Sequence, residues 1–169
     1  MILAIDPGNT ESGYALIDRH TCQPLEIGKI RNEDLLDRLI DTWLDGGEGI
    51  VSHVAIEMIA SYGMSVGQDI FETCVWIGRF QQVCESFRNF EMPCDLVYRK
   101  NVKLHLCHTT KAKDANITQA LIDRFASGQP NRGKGTKADP GWFFGFKADI
   151  WQAYALAVVT ADTAAKAVA

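Results

Sequence analysis

A short apolar run near the start of the sequence ends in an acid. Residues 2–5 are Ile-Leu-Ala-Ile, and Asp6 follows them directly, before the turn sequence Pro-Gly-Asn-Thr. Such a run predicts a buried strand, in which a carboxylate costs free energy unless a cation or hydrogen-bond donors compensate it. A second short apolar run, residues 54–56, also ends in an acid, Glu57. Two strand-end acids at one sheet edge therefore predict a cation site.

The order of the remaining patterns predicts one α/β domain over residues 1–169. Three closely spaced strands predict an antiparallel meander, and a helix before the fourth strand predicts a parallel crossover. Gly, Pro, Asn and Lys without periodicity predict a loop over residues 127–145. We expect a five-stranded mixed sheet flanked by helices on both faces. Its strands are predicted at residues 2–6, 12–17, 25–30, 51–57 and 95–98, and its helices at residues 32–45, 65–87, 102–107, 113–125 and from 148.

Composition is ordinary for a soluble globular protein, with 47% hydrophobic and 22% charged residues. The first apolar run is too short for a signal peptide, and no run approaches the roughly 18 residues of a membrane span. We therefore expect a cytoplasmic protein with no membrane partner. The five cysteines form no CxxC pair, which argues against a zinc site. Cys74 and Cys84 fall on a helical apolar pattern and are predicted to be reduced core residues.

Positive charge is concentrated in residues 95–137. This stretch has nine Lys/Arg and three Asp/Glu, whereas the whole chain has a net charge of −4. A local basic surface attracts a polyanion even on an acidic protein, because salt screens distant charge within about 8–10 Å. A lysine-rich solvated face explains the pattern equally well. The candidates for phosphate contacts are Lys100, Lys103, Lys111, Lys113, Lys134 and Lys137.

A third acid, Asp149, lies at the predicted start of the last helix, after the long loop. Together with Asp6 and Glu57 it would supply three hard oxygen donors, which suit Mg²⁺ or Mn²⁺ and poorly suit zinc. Two such ions about 3.5–4 Å apart activate water and stabilise the leaving oxygen in phosphodiester hydrolysis. Each acid also has a structural explanation. Asp6 would cap the following turn, and Asp149 would favour the helix dipole.

Short motifs occur in a fixed order along the chain. They are IDPGNT at residues 5–10, GYA at 13–15, AIE at 55–57, VYRKNVK at 97–103 and ADIWQAYALA at 148–157. In combination they resemble the RuvC-type Holliday-junction resolvases of bacteria and phages. The resemblance spans nearly the whole chain. It implies a ribonuclease H-like fold, a homodimer, Mg²⁺ dependence with Mn²⁺ as a substitute, and paired nicking of four-way DNA junctions.

The resemblance also implies the metal ligands. Asp6, Glu57 and Asp149 match positions that bind metal in the family. The family commonly has a second acid three residues after the first on the last helix, and Gln152 stands there in this chain. Because Gln offers an oxygen without charge, we expect weaker binding of the second ion, or assistance from Asp139.

Further residues are assigned to DNA by the same resemblance. Lys113 is the candidate for the basic residue near the scissile phosphate, with Lys111 as its competitor. Tyr62 follows Glu57 by five residues and corresponds to an aromatic that stacks on opened bases, a sequence-tolerant contact. Arg99 is expected to contact DNA together with the lysines of the basic stretch.

Other functions fit part of the sequence. The pattern Asp-x-Gly-x-Thr at residues 6–10 also opens actin-like and sugar-kinase ATPases, but these need two lobes, and 169 residues supply one. A non-catalytic junction-binding protein, in which Gln152 marks lost activity, stays possible. So does a ribonuclease H-like enzyme acting on RNA–DNA hybrids or other branched DNA, because surface shape selects the substrate.

Overall fold

The computed structural model describes residues 1–44, 51–61, 63, 65–86 and 93–168. Within these residues, one sheet has the strand order β3-β2-β1-β4-β5. β1 pairs antiparallel with β2, which pairs antiparallel with β3, whereas β4 is parallel to both β1 and β5. The predicted five-stranded mixed sheet is therefore confirmed. The strands are β1 (Ile2–Asp6), β2 (Glu11–Ile17), β3 (Pro24–Arg31), β4 (His53–Met58) and β5 (Cys94–Tyr98).

Helices cover both faces of this sheet, as predicted. They are α1 (Asn32–Arg38), which continues into a π-helical segment (Leu39–Leu44), α2 (Gln68–Ser86), α3 (Arg99–Cys107), α4 (Asp114–Phe125) and α5 (Ala148–Val168). Successive side chains of a strand point to opposite faces. On β1, Ile2 and Ala4 pack in the core formed with α3, α4 and α5, whereas Leu3 and Ile5 pack in the core formed with α1 and α2.

On the face covered by α3, α4 and α5, the central helix is α5, which packs on β1, β2 and β4. Its residues 153–158 are all buried, and three of them are alanines, which let the helix lie close to the sheet. The hydroxyl of Tyr154 donates a hydrogen bond to the Cys22 carbonyl oxygen and accepts one from the Trp142 indole, both at 2.9 Å. Phe143 and Phe146 are fully buried against this helix. The long loop is thereby held over α5, and a 3₁₀ turn (Pro130–Gly133) forms within it.

Several sequence predictions need correction. Asn32 has the side chain of a typical helix N-cap, but Arg31 holds the cap position and Asn32 is buried as the first residue of α1. Cys84 is buried as predicted, but Cys74 is exposed, because the apolar residues of α2 lie on more than one face of the helix. α2 begins at Gln68 and not near residue 65, and its predicted continuation to residue 87 lies outside the described residues. In the described part of the chain, no helix has the length and apolar character needed to cross a bilayer.

Candidate functional site

The register of the sheet places two of the predicted ligands side by side. Ile5 of β1 pairs with Ile56 of β4, so Asp6 and Glu57 each follow that pair by one residue. Asp6 lies two residues after Ala4, and Glu57 lies two residues after Ala55; both alanines pack in the core formed with α5. The side chains of Asp6 and Glu57 are therefore on the α5 face of the sheet. α5 begins over the same edge, with Asp149 in its first turn.

A glycine allows α5 to begin this close to the sheet. Gly13 of β2 is the register partner of Asp6. A Cβ at Gly13 would lie 2.9 Å from the Asp149 carbonyl oxygen and 3.0 Å from the Asp149 Cβ. A side chain at this position would therefore displace Asp149 from its place above Asp6.

The turn after Asp6 is held by buried polar side chains. The Gly8 amide donates to the Ser12 hydroxyl at 3.3 Å, and that hydroxyl donates to Oδ1 of Asn32 at 2.6 Å. The Asn32 amide completes the ring by donating to the Gly8 carbonyl oxygen at 2.9 Å. Ser12 and Asn32 are both fully buried, so the bond between them forms away from water, and the three bonds together fix the path of the chain beside Asp6.

Asp6 is a half-buried acid without a hydrogen-bond or ion-pair partner among the described residues. Burial, together with the neighbouring carboxylates of Glu57 and Asp149, raises its pKa to about 8, and the guanidinium of Arg99 opposes the shift. Among the residues that the structure describes, none donates a hydrogen bond to the Asp6 carboxylate or forms an ion pair with it. Near neutral pH this carboxyl group must therefore take up a proton or bind an external cation.

The other two acids each contact a cation of the chain itself. Nη1 of Arg99 lies 3.0 Å from Oε2 of Glu57, and Nζ of Lys29 lies 2.6 Å from Oδ2 of Asp149. Burial nevertheless raises the pKa of Glu57, because it outweighs the attraction of Arg99. The hydrogen bond to Asp149 raises the pKa of Lys29.

Sequence reasoning missed Lys29. It lies on β3 opposite Gly13, so Lys29, Gly13 and Asp6 form one row across three strands. The only signal in the sequence was the spacing of the first three strands. That spacing predicts this row only once the register of both hairpins is known.

Gln152 and Arg99 meet inside the site. Arg99 was predicted to contact DNA, but its side chain is only 17% exposed and contacts three acceptors. Besides Glu57, Nη2 of Arg99 bonds to Oδ1 of Asp114 at 2.8 Å and to Oε1 of Gln152. The acceptors come from β4, α4 and α5, so this guanidinium joins the three elements that surround the site.

Two predicted lysines lie close to this cluster. Lys103 on α3 is near enough for its charge to act against the rise in the pKa of Glu57. Lys113 directly precedes Asp114, which contacts Arg99, and its backbone amide donates to Oδ1 of Asn116 at 2.8 Å. The Lys113 side chain is exposed and available for a phosphate.

The remaining predicted contacts lie further out. Lys100 and Lys111 are exposed, and Lys100 lies 5.6 Å from the centre of the Tyr98 ring. Lys134 donates to the Phe146 carbonyl oxygen at 2.9 Å, so its ammonium holds the loop. Lys137 and Asp139 are exposed in the long loop, and the structure does not bring them to the acids. Tyr62 lies outside the described residues.

The acids of the site do not form an assembled metal-binding group. In the described ranges, no group of three or more His, Cys, Asp or Glu side chains is arranged to hold a metal ion. Glu57 and Asp149 instead form ion pairs with Arg99 and Lys29. Asp6 and Asp149 line an open cleft together with Lys29 and the turn of residues 7–11. Carboxylates beside an open cleft suit Mg²⁺ or Mn²⁺, which keep several waters when bound.

Comparison with solved structures identifies the fold. A structure of RuvC from Thermus thermophilus matches with a TM-score of 0.65 and 14% sequence identity, over 98% of this chain and 96% of that chain. The chain has the fold of RuvC. A second structure, T. thermophilus RuvC in complex with a Holliday junction substrate, matches with a TM-score of 0.62 and 14% identity, over 98% and 95% of the two chains. No protein-family model and no curated protein sequence matches the chain.

The resemblance to RuvC predicted from the sequence motifs is therefore confirmed for the fold, as is the ribonuclease H-like architecture. At 14% identity the likeness to RuvC is one of backbone. The chemistry of this chain is accordingly argued from its own side chains.

Proposed function

We propose that this protein is a Mg²⁺-dependent endonuclease that resolves four-way DNA junctions by paired phosphodiester hydrolysis. The observation that carries the proposal is Asp6, a half-buried carboxylate beside two other acids with no donor of its own among the described residues. The RuvC fold supports DNA as the substrate, because a RuvC structure of that fold contains a Holliday junction.

Each residue of the site has a distinct part in this reaction. A bound Mg²⁺ or Mn²⁺ ion would supply Lewis-acid stabilisation of charge on the phosphate and would make water a better nucleophile. Asp6 and Asp149 would hold the ion. The described contact of Glu57 to Arg99 uses Oε2, which leaves Oε1 as a further ligand. Lys29 is 44% exposed, so its flexible ammonium is able to leave Asp149 and meet a phosphate.

The basic residues around the site would bind the DNA backbone. Besides Lys29, Lys103 acts on the charge of Glu57 and Lys113 directly precedes Asp114, and Lys100 and Lys111 extend the positive surface over α3 and the start of α4. Contacts of this type position a duplex without reading its sequence, and they weaken as salt rises.

Two coordinated nicks require two active sites, and we propose that the protein is a homodimer formed through α2. Phe71 and Val75 are each 62% exposed and lie one helical turn apart, with the exposed Cys74 beside them. The opposite face of this helix, including Ile77 and Phe80, is buried against the sheet. A second copy of α2 would cover the exposed apolar residues.

The test compares the wild type with Asp6→Asn on a synthetic four-way junction, a linear duplex and an RNA–DNA hybrid, each with Mg²⁺. We expect symmetric nicks in the junction alone and none with the variant. Asp34→Asn is the matched control, because Asp34 is exposed on α1, on the other face of the sheet, and should leave cutting unchanged.

Other outcomes separate the alternatives. Equal cutting of linear duplex would contradict junction selectivity but would leave the proposed nuclease activity standing. Tight junction binding with no cutting at any Mg²⁺ or Mn²⁺ concentration would indicate a binding protein. ATP turnover without cutting would indicate an actin-like ATPase lobe.

A further inference from the structure

Arg99 lies at the point where this site differs most from a two-ion carboxylate centre. A second ion would need oxygen donors on the side of Glu57 and Gln152. Both of these side chains already accept hydrogen bonds from the Arg99 guanidinium. A resident positive charge therefore stands between the two donors.

The contacts of Arg99 are those of a fixed side chain. It donates to three acceptors, and it begins α3 directly after β5, so its backbone is held by two regular elements. A guanidinium has donors in a rigid planar fork and stays protonated at all working pH values. Lys29 differs on each count. Its ammonium is far more exposed, lies on a flexible chain, and contacts Asp149 at 2.6 Å and Glu11 at 3.8 Å.

Charge separates the two sides of the site in the same way. On the Asp6 side, Asp6, Asp149 and Glu11 face an open cleft with one exposed ammonium, that of Lys29. On the Gln152 side, Glu57 and Asp114 share the Arg99 guanidinium, and the neutral amide of Gln152 adds no further negative charge. A divalent cation is therefore attracted more strongly to the first side, where no fixed positive charge stands between the donors.

We infer that Arg99 takes the place of a second divalent cation, so that each chain binds one ion, on the side of Asp6 and Asp149. The inference rests on the proposed metal-dependent function and replaces the two ions expected from the sequence. Arg99 is then a positioning residue. It fixes the Glu57 carboxylate and keeps positive charge at the end of α5 when no metal is bound.

The test counts Mn²⁺ ions bound by the full metal-free chain, without DNA, by electron paramagnetic resonance titration. We expect one ion per wild-type chain. Gln152→Glu should also bind one, because the Arg99 guanidinium still lies between the added carboxylate and that of Glu57. The double variant Arg99→Gln/Gln152→Glu should bind two, since it has the same acid and lacks the guanidinium.

Lys100→Gln is the charge-matched control. It removes one positive charge from the adjacent residue, which is exposed and does not contact Glu57, so the count should stay at one. Circular dichroism verifies that each variant is folded. If the double variant does not fold, the wild type and Gln152→Glu decide the matter, because both must bind one ion.

Two ions or none on the wild-type chain would overturn the inference, as would a count of one on the folded double variant. The count needs no substrate, so its result is independent of the junction assay. Junction cutting with two bound ions would keep the proposed function and remove the role of Arg99. One bound ion without junction cutting would keep the role of Arg99 and contradict the proposed function.

Discussion

Replacement of Asp6 by asparagine should stabilise the metal-free protein at high pH. Burial and the two neighbouring acids raise the pKa of Asp6 to about 8, from an ordinary value of 3.8. For an acid with a raised folded-state pKa, the stabilising contribution is complete below the unfolded pKa and disappears as pH rises through the folded pKa. The metal-free wild type should therefore lose stability between about pH 4 and pH 8. The asparagine of the variant would carry no charge at any of these values.

The magnitude follows from the width of this window. About three pH units of this window lie between pH 5 and pH 8, which at 1.36 kcal/mol per unit corresponds to about 4 kcal/mol of lost stability. For a chain of this size, 1 kcal/mol shifts the unfolding midpoint by about 2–4 °C. The difference in midpoint between Asp6→Asn and the wild type should thus grow by about 8–16 °C from pH 5 to pH 8.

The assay is thermal unfolding followed by circular dichroism, in EDTA, at both pH values. Asp34→Asn again serves as the control, and its difference from the wild type should be the same at both pH values. Saturating Mg²⁺ at pH 8 should raise the wild-type midpoint, by about 2.7 kcal/mol of stability at 100 times the dissociation constant, and leave Asp6→Asn unchanged. A midpoint difference between Asp6→Asn and wild type that does not change with pH would refute the reasoning.

Other predictions test the surroundings of the site. Gly13→Ala should push the start of α5 away, at a cost of about 1–3 kcal/mol, and weaken Mg²⁺ binding; Gly78→Ala, whose Cβ meets nothing within 4 Å, should not destabilise. Chemical denaturation and a Mg²⁺ titration measure both effects, and equal stability of the two variants would contradict the first. Ser12→Ala should cost about 1–3 kcal/mol in the same denaturation assay, because it leaves the Asn32 oxygen unpaired, and an unchanged midpoint would count against the buried network. Val75→Glu should turn the proposed dimer into a folded monomer in light scattering, and a dimer that persists would place the interface elsewhere.

The positions of the three acids could be predicted because they depend on strand ends. Apolar runs define where β1 and β4 end, and a parallel crossover makes the two strands neighbours, so Asp6 and Glu57 had to be adjacent. The position of Asp149 could be predicted because it lies at the start of the last helix. These features depend on local patterns and on few rules of topology.

The contacts of the acids could not be predicted in this way. Arg99 is 42 residues from Glu57 and 53 from Gln152, and no local pattern encodes which of several basic residues turns inward. Asn32 has the side chain of a typical helix cap, but Ser12, which is distant in sequence, offers that side chain a buried partner. Tertiary structure therefore overrides the local preference of Asn32. On α2 the apolar pattern is real, yet periodicity does not say which of two apolar faces meets the sheet.

The most direct test of the central claim is anomalous diffraction from crystals of this protein soaked in Mn²⁺. We expect one strong peak within about 2–2.3 Å of carboxylate oxygens of Asp6 and Asp149, with the Arg99 guanidinium still between Glu57 and Gln152. Mn²⁺ bound only at other acids, with Asp6 free of metal, would contradict the account.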